Sequence, residues 1–200
     1  MKDTREFILK TALSLFLQKS YRDVTMREIV EKTKLSKGAF YHHFASKEAL
    51  FKEIANNFFL MGKIDYSSFS PDSLELFYHQ YVDYVGKSID EINTLVGTSV
   101  KGDPSLNFFL IMFEAINRFP LFLKMERDLH LLDLETWKKV IRHARKKGEI
   151  SSSASDSQIA GLFLYCTDGV FIRMINSNHE YNFHDALLEA FDTIFNGLKS

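Results

Sequence analysis

Three hydroxyl residues within a short stretch, Thr25, Ser36 and Ser46 in TMREIVEKTKLSKGAFYHHFASKEAL (25–50), each stand immediately before a run of helix-forming residues. A hydroxyl in that position accepts a hydrogen bond from a backbone N–H near the start of the helix and fixes where the helix begins. Thr25 is followed three residues on by Glu28, the capping-box pattern. Ile29 and Val30 give the first helix its apolar face, which breaks at Thr33-Lys34 before Leu35. In the second helix Phe40 and Phe44 lie four residues apart and point into a core. Lys37, Gly38, Ala39, Tyr41, His42 and His43 are thereby left on the remaining surface. Ser46, with Glu48 and Glu53 after it, opens a third helix. Two short helices joined by a tight turn, the second beginning in small and basic residues, are predicted to form a helix-turn-helix able to enter a major groove.

The charge distribution agrees with that placement. The net charge of −1 conceals a basic segment, since residues 1–54 hold 11 Lys+Arg against 7 Asp+Glu and the remainder holds 14 against 19. A basic module attached to an acidic body is the footprint of a unit that meets phosphate with one part only.

Elsewhere the apolar residues recur with helical period, and Val, Ile and Thr never alternate between turn signals as in strands. Phe7, Ile8, Ala12, Leu15 and Phe16 predict a helix over 3–19 that completes a three-helix core. Leu50, Phe51, Ile54, Phe58 and Met61 continue a helix from Lys47 that serves as connector. After a loop over 62–71, helices are expected at 72–95, 104–117, 120–147, 156–177 and 183–198. The three prolines, Pro71, Pro104 and Pro120, fall at their edges, where a missing N–H is tolerated; Asp103 is read as an N-cap. The fold class is all-α: an N-terminal helix-turn-helix domain over residues 1–48 and a helical ligand-binding and dimerisation domain over 49–200. The single cysteine, Cys166, excludes an internal disulfide framework. The charged MKDTREF start and the interruption of 159–175 by Asp168 and Arg173 speak against a secretory signal or a membrane span, so a cytoplasmic protein is expected.

Ser36, Gly38, Tyr41, Phe44, Lys47 and Leu50 fill, in register, the pattern S-x-G-x-x-Y-x-x-F-x-x-K-x-x-L, which resembles TetR/AcrR-type one-component transcriptional regulators over the first quarter of the chain. A weaker similarity lies in Gly148-Glu149-Ile150 and the following helix with Asp156, Ala160, Phe163, Asp168, Gly169 and Val170. The resemblance implies that Tyr41 and Lys47 contact phosphate and that the last two helices pair with those of a second copy. From the residues themselves, Lys37 and His42 can reach base edges or backbone oxygens, and His43 either. Gly38 and Ala39 permit close approach, Ser36 begins the recognition helix, and Thr25 and Arg27 would grip the backbone beside the groove.

The body is aromatic, the chain holding 19 Phe and 8 Tyr. Such stripes at helical spacing commonly form core, yet they can also line a cavity for an apolar or amphipathic effector. Phe58, Phe77, Tyr81, Tyr84, Phe109, Met112, Phe113 and Trp137 are the candidate lining, with Asn117 and Asp168 as polar groups that orient a ligand. Leu162, Phe163, Tyr165, Cys166, Val170 and Ile172, with Leu187, Leu188, Phe191, Ile194 and Phe195, are more apolar surface than one internal face would bury, which predicts a homodimer.

Enzyme chemistry finds no support. GTSVKGDP (97–104) has Asp-Pro where a phosphate-binding loop needs Lys-Ser/Thr, and no G-x-S-x-G is present. Glu126/His130 and His179/His184 lack the partners of a metal site, and no cofactor is expected. The sequence therefore points to a ligand-responsive repressor that binds a palindromic double-stranded DNA operator as a homodimer. The alternative is a small-molecule binding or interaction module whose helix-turn-helix is structural only.

Overall fold

The computed structural model describes residues 2–96, 104–175 and 182–199. Every regular element among them is helical: α1 (Lys2–Gln18), α2 (Met26–Thr33), α3 (Lys37–His43), α4 (Lys47–Met61), a 3-10 turn (Tyr66–Ser68), α5 (Leu74–Val96), α6 (Pro104–Arg118), α7 (Pro120–Lys146), α8 (Asp156–Ile175) and α9 (Phe183–Lys199). The expected Asp103 cap, the 97–103 part of the loop read against phosphate binding, and His179 lie outside the described residues. The 3-10 turn lies within the expected loop over 62–71, and Asp65 caps it by accepting from the Ser67 N–H.

Packing divides the chain into two units, residues 1–62 with 91–126 and residues 63–90 with 127–200. This differs from the domain boundary expected at residue 48. In the first unit α4, α6 and the start of α7 belong with α1–α3. Its core gathers Ile8, Ala12, Leu15 and Phe16 of α1, Ile29 of α2, Phe40 and Phe44 around α3, and Leu50, Phe51, Ile54 and Phe58 of α4. Phe7, expected on the inner face of α1, is exposed instead, because Ile8, Ala12 and Leu15 already define that face.

The second unit is held by an aromatic centre. Trp137 of α7 meets Phe77 and Tyr81 of α5 edge-on at 5.0 and 5.1 Å and stacks on Phe163 of α8 at 4.8 Å; Phe191 of α9 closes the group against Phe163 at 4.9 Å. Each such pair adds roughly 0.5–1.5 kcal/mol to the area it buries. Part of the apolar surface assigned to dimerisation is thus internal: Phe163, Leu187, Phe191 and Phe195 are all buried in this core. Glu149, just after the positive-φ Gly148 that ends the α7 turn, accepts from Ser73 Oγ and from the Leu74 and Glu75 N–H groups. A carboxylate at a helix N-terminus satisfies orphan donors and complements the dipole, so the α7–α8 loop is tied to the head of α5.

Candidate nucleic-acid interface

The geometry of α3 follows from its caps. Thr25 Oγ1 accepts from the Glu28 N–H at 3.1 Å, Ser36 Oγ from the Ala39 N–H at 3.2 Å and Ser46 Oγ from the Ala49 N–H at 3.1 Å. Each hydroxyl keeps its own proton to donate outward. The Glu28 carboxylate pairs with Lys19; the reciprocal arm of the capping box is used to fasten α2 to the end of α1. Between α2 and α3, Lys34 takes a left-handed conformation at φ 55° and its N–H closes on the Glu31 carbonyl at 3.3 Å. That conformation lets the chain reverse within the few residues between the two helices.

Phe40 (0 % exposed) and Phe44 (2 %) anchor α3 from below. Lys37, Gly38, Ala39, Tyr41 and His42 are exposed on the outer side and His43 is half-buried. The Tyr41 ring packs edge-on against Phe40 at 5.7 Å, and the His42 and His43 rings stand 5.4 Å apart. A methyl group at Gly38 would meet nothing of this chain within 4 Å, so internal packing does not require glycine there. Thr25 and Arg27 are exposed beside this face, with Arg27 Nε donating to Glu31 at 2.8 Å.

Lys47 is placed differently from its neighbours. Its ammonium donates to the Tyr21 carbonyl at 2.8 Å and the Val24 carbonyl at 2.7 Å and stands 4.4 Å above the Tyr21 ring. Burial, then the nearby Arg118 charge, lower its pKa. The Arg118 guanidinium, at the end of α6, covers the Tyr21 ring at 4.3 Å. Lys47 therefore acts on the α1–α2 turn, a role that its position in the motif does not disclose, because the carbonyls it holds lie more than twenty residues away in sequence.

The candidate effector residues are distributed over both units. Phe58, Phe109, Met112, Phe113 and Asn117 belong to the first unit; Phe77, Tyr81, Tyr84, Trp137 and Asp168 belong to the second. Phe58 is buried, Phe109 and Met112 are half-buried, and Phe113 and Asn117 are exposed. In the second unit Phe77, Tyr81 and Trp137 are closely packed core, Tyr84 is half-buried with its hydroxyl on the Lys63 carbonyl at 3.3 Å, and Asp168 is exposed. Two features went unread in the sequence. One is a cleft of about 260 Å³ in the first unit, whose walls include Phe16, Tyr21, Phe51, Leu110, Ile111 and Glu114. The other is Asp133, whose carboxylate accepts the Tyr66 hydroxyl at 2.9 Å in the second unit. Among the described residues no group of three His, Cys, Asp or Glu side chains could hold a metal ion, and no helix is long and apolar enough to cross a membrane.

Residues 8–54 match the sequence model of the bacterial regulatory proteins of the tetR family. The uncharacterised HTH-type transcriptional regulators YuxN and YerO of Bacillus subtilis are 46% identical over 59 residues and 48% identical over 50; those alignments cover 30% and 25% of this chain and only 20% and 17% of those proteins. The HTH-type transcriptional regulator UidR of Escherichia coli is 29% identical over 84% of this chain and 79% of its own length. The crystal structure of a TetR-family regulator from Cytophaga hutchinsonii superposes with a TM-score of 0.60 at 20% identity, covering 98% of this chain and 94% of that one, a likeness of fold.

Proposed function

We propose that this chain, whose residues 8–54 match the tetR-family model, is a DNA-binding, ligand-responsive repressor of the TetR/AcrR type that leaves a palindromic operator when a small effector binds. The observation that carries the reading is the outer face of α3. Its side chains are spent on no internal contact that needs them: Gly38 has open space above it, and Lys37, Ala39, Tyr41 and His42 face outward over two buried phenylalanines. A small residue that the protein's own packing does not need is accounted for by a partner surface coming close. Lys37 and His42 read or grip the groove, Ala39 meets a thymine methyl, and Tyr41, Thr25, Ser36 and Arg27 hold phosphate. His43 is a peripheral contact. Lys47 supports this face by positioning the α1–α2 turn.

One recognition helix makes too few contacts for useful specificity, and two related by a two-fold read half-sites a helical turn or a multiple of it apart. On α8, Leu162, Tyr165 and Ile172 remain exposed at positions that share a face with Gly169, over which a Cβ would find open space. That stripe is the part of the expected interface left for a second copy. Effector binding in the body then shifts the population toward a state in which the separation of the recognition helices no longer fits adjacent grooves.

The test is salt-dependent retention of duplex DNA. Lys37→Ala is expected to weaken binding and to lower the slope of log affinity against log salt by about 1; Tyr41→Ala is expected to weaken it at unchanged helicity. Unaltered affinity and slope in both variants would refute the interface and favour the interaction-module reading.

A further inference from the structure

In the second unit a carboxylate sits among aromatic rings without a permanent cation. Asp133, on α7 one turn before Trp137, is half-buried. It accepts a single hydrogen bond from the Tyr66 hydroxyl and has neither a lysine nor an arginine partner among the described residues. The groups that act on it are Tyr66, His130 and Asp168, and the last of these opposes its ionisation. The Tyr66 ring stacks on Phe77 at 5.8 Å, and Phe77 meets Trp137 at 5.0 Å. A negative charge placed there is desolvated with only the Tyr66 hydroxyl and His130 to favour it, an arrangement that a protein retains at a cost to its own stability.

A second, independent observation lies beside it. The Trp137 indole N–H is fully buried and has no hydrogen-bond partner. It leans toward the Tyr66 oxygen without hydrogen-bond geometry to it. Buried donors of this kind are nearly always satisfied, so a carboxylate without a lysine or arginine partner and an unsatisfied donor on successive turns of one helix both lack something that a single molecule can supply.

We propose that the effector of this protein is an organic cation with a hydrogen-bond acceptor, its positive charge held between the Asp133 carboxylate and the Tyr66 ring and its acceptor presented to the Trp137 N–H. Aromatic faces bind ammonium groups that have been stripped of water, and the carboxylate supplies the charge partner. The inference rests on the ligand-responsive reading above and assigns the chemistry of its ligand. Asp133 discriminates charge, Tyr66 both orients the carboxylate and forms a wall, and Trp137 fixes the orientation of the ligand.

Trp137 is the only tryptophan of the chain, so its fluorescence reports the site directly. Full-length protein is titrated with acetylcholine, as a quaternary ammonium bearing an ester acceptor, and with 3,3-dimethylbutyl acetate, its uncharged carbon isostere. The cation is expected to change the Trp137 emission and to bind about tenfold or more tightly than the isostere, and Asp133→Asn is expected to remove that preference. Equal binding of the two probes, or no change of emission with either, would overturn the proposal, and because both are read on the wild-type protein the result stands even if the variant misfolds. Retention of duplex DNA by the same preparation, measured without probe, separates the two readings. A protein that retains DNA but ignores the cation loses only this inference; one that binds the cation but no DNA loses the operator reading instead.

Discussion

The Lys47 ammonium hydrogen-bonds the Val24 carbonyl at 2.7 Å, across twenty-three positions of sequence, and thereby holds the α1–α2 turn to the first turn of α4. The Tyr21 carbonyl shares the same ammonium. A charged donor serving backbone carbonyls in a partly buried place contributes roughly 1.5–3 kcal/mol. Lys47→Met keeps the stem and removes the donors, so it is expected to lower unfolding stability by about 2 kcal/mol, as read from the urea midpoint. A residue whose role was confined to a DNA phosphate would leave that midpoint where it was.

Lys34 offers the opposite change. A side chain at φ 55° costs about 1–2 kcal/mol relative to the right-handed region, whereas glycine there loses about 0.5–1 kcal/mol through greater freedom of the unfolded chain. Lys34→Gly is therefore expected to raise stability by up to about 1 kcal/mol, and Lys34→Val to lower it, since a β-branched residue tolerates that backbone least. Chemical denaturation of the two variants, compared with wild type, reads the sign directly.

What made the fold legible was local. Thr25, Ser36 and Ser46 mark helix starts through bonds that span three residues, and all three form. The burial of Phe40 and Phe44 follows from the four-residue period alone. What the sequence withheld is chemistry joined at long range. Glu149 capping α5, Tyr66 reaching Asp133 and Lys47 holding Val24 each depend on a tertiary fold that brings distant positions together, and a charged residue in a list shows nothing of its partner. The aromatic body shows the same limit in another form. Periodicity placed Phe77, Tyr81, Trp137 and Phe163 on helices, but only the packed structure distinguishes a filled centre from a lined cavity.

His184, in the first turn of α9, bonds Asp83 of α5 at 2.8 Å and Asp185 at 3.3 Å. The hydrogen bond to Asp83, then that to Asp185, raises its pKa above 6.5 against a smaller effect of burial. A raised histidine contributes stability that is fully present below pH 6.5 and is lost as the pH climbs through the folded value. The side chain is more than a third exposed, so water screens the pair and the contribution is small, about 0.5 kcal/mol. His184→Gln is expected to be less stable than wild type at pH 5.5 and to converge with it by pH 8.5, as measured by thermal unfolding at both values.

Asp133 titrates with the same sign for a different reason. Burial in the first place, with Asp168 adding to it, pushes its pKa up to about 6 from an ordinary 3.8, against the Tyr66 hydrogen bond and His130, which favour the charged form. The folded state therefore binds this proton more tightly than the unfolded chain does; its contribution is complete below pH 3.8 and lost as the pH rises through 6. Asparagine keeps an acceptor for the Tyr66 hydroxyl and never ionises. Asp133→Asn is thus expected to gain about 1 kcal/mol over wild type at pH 7.5, allowing for the water that a half-buried site retains, and to gain nothing at pH 4. Denaturant unfolding at the two pH values measures the difference, and an equal effect at both would mean that the carboxylate is already compensated by a charge inside the protein. A gain confined to high pH would instead show a carboxylate kept at the expense of stability, which is the condition under which a bound cation stabilises the wild-type protein more than the variant.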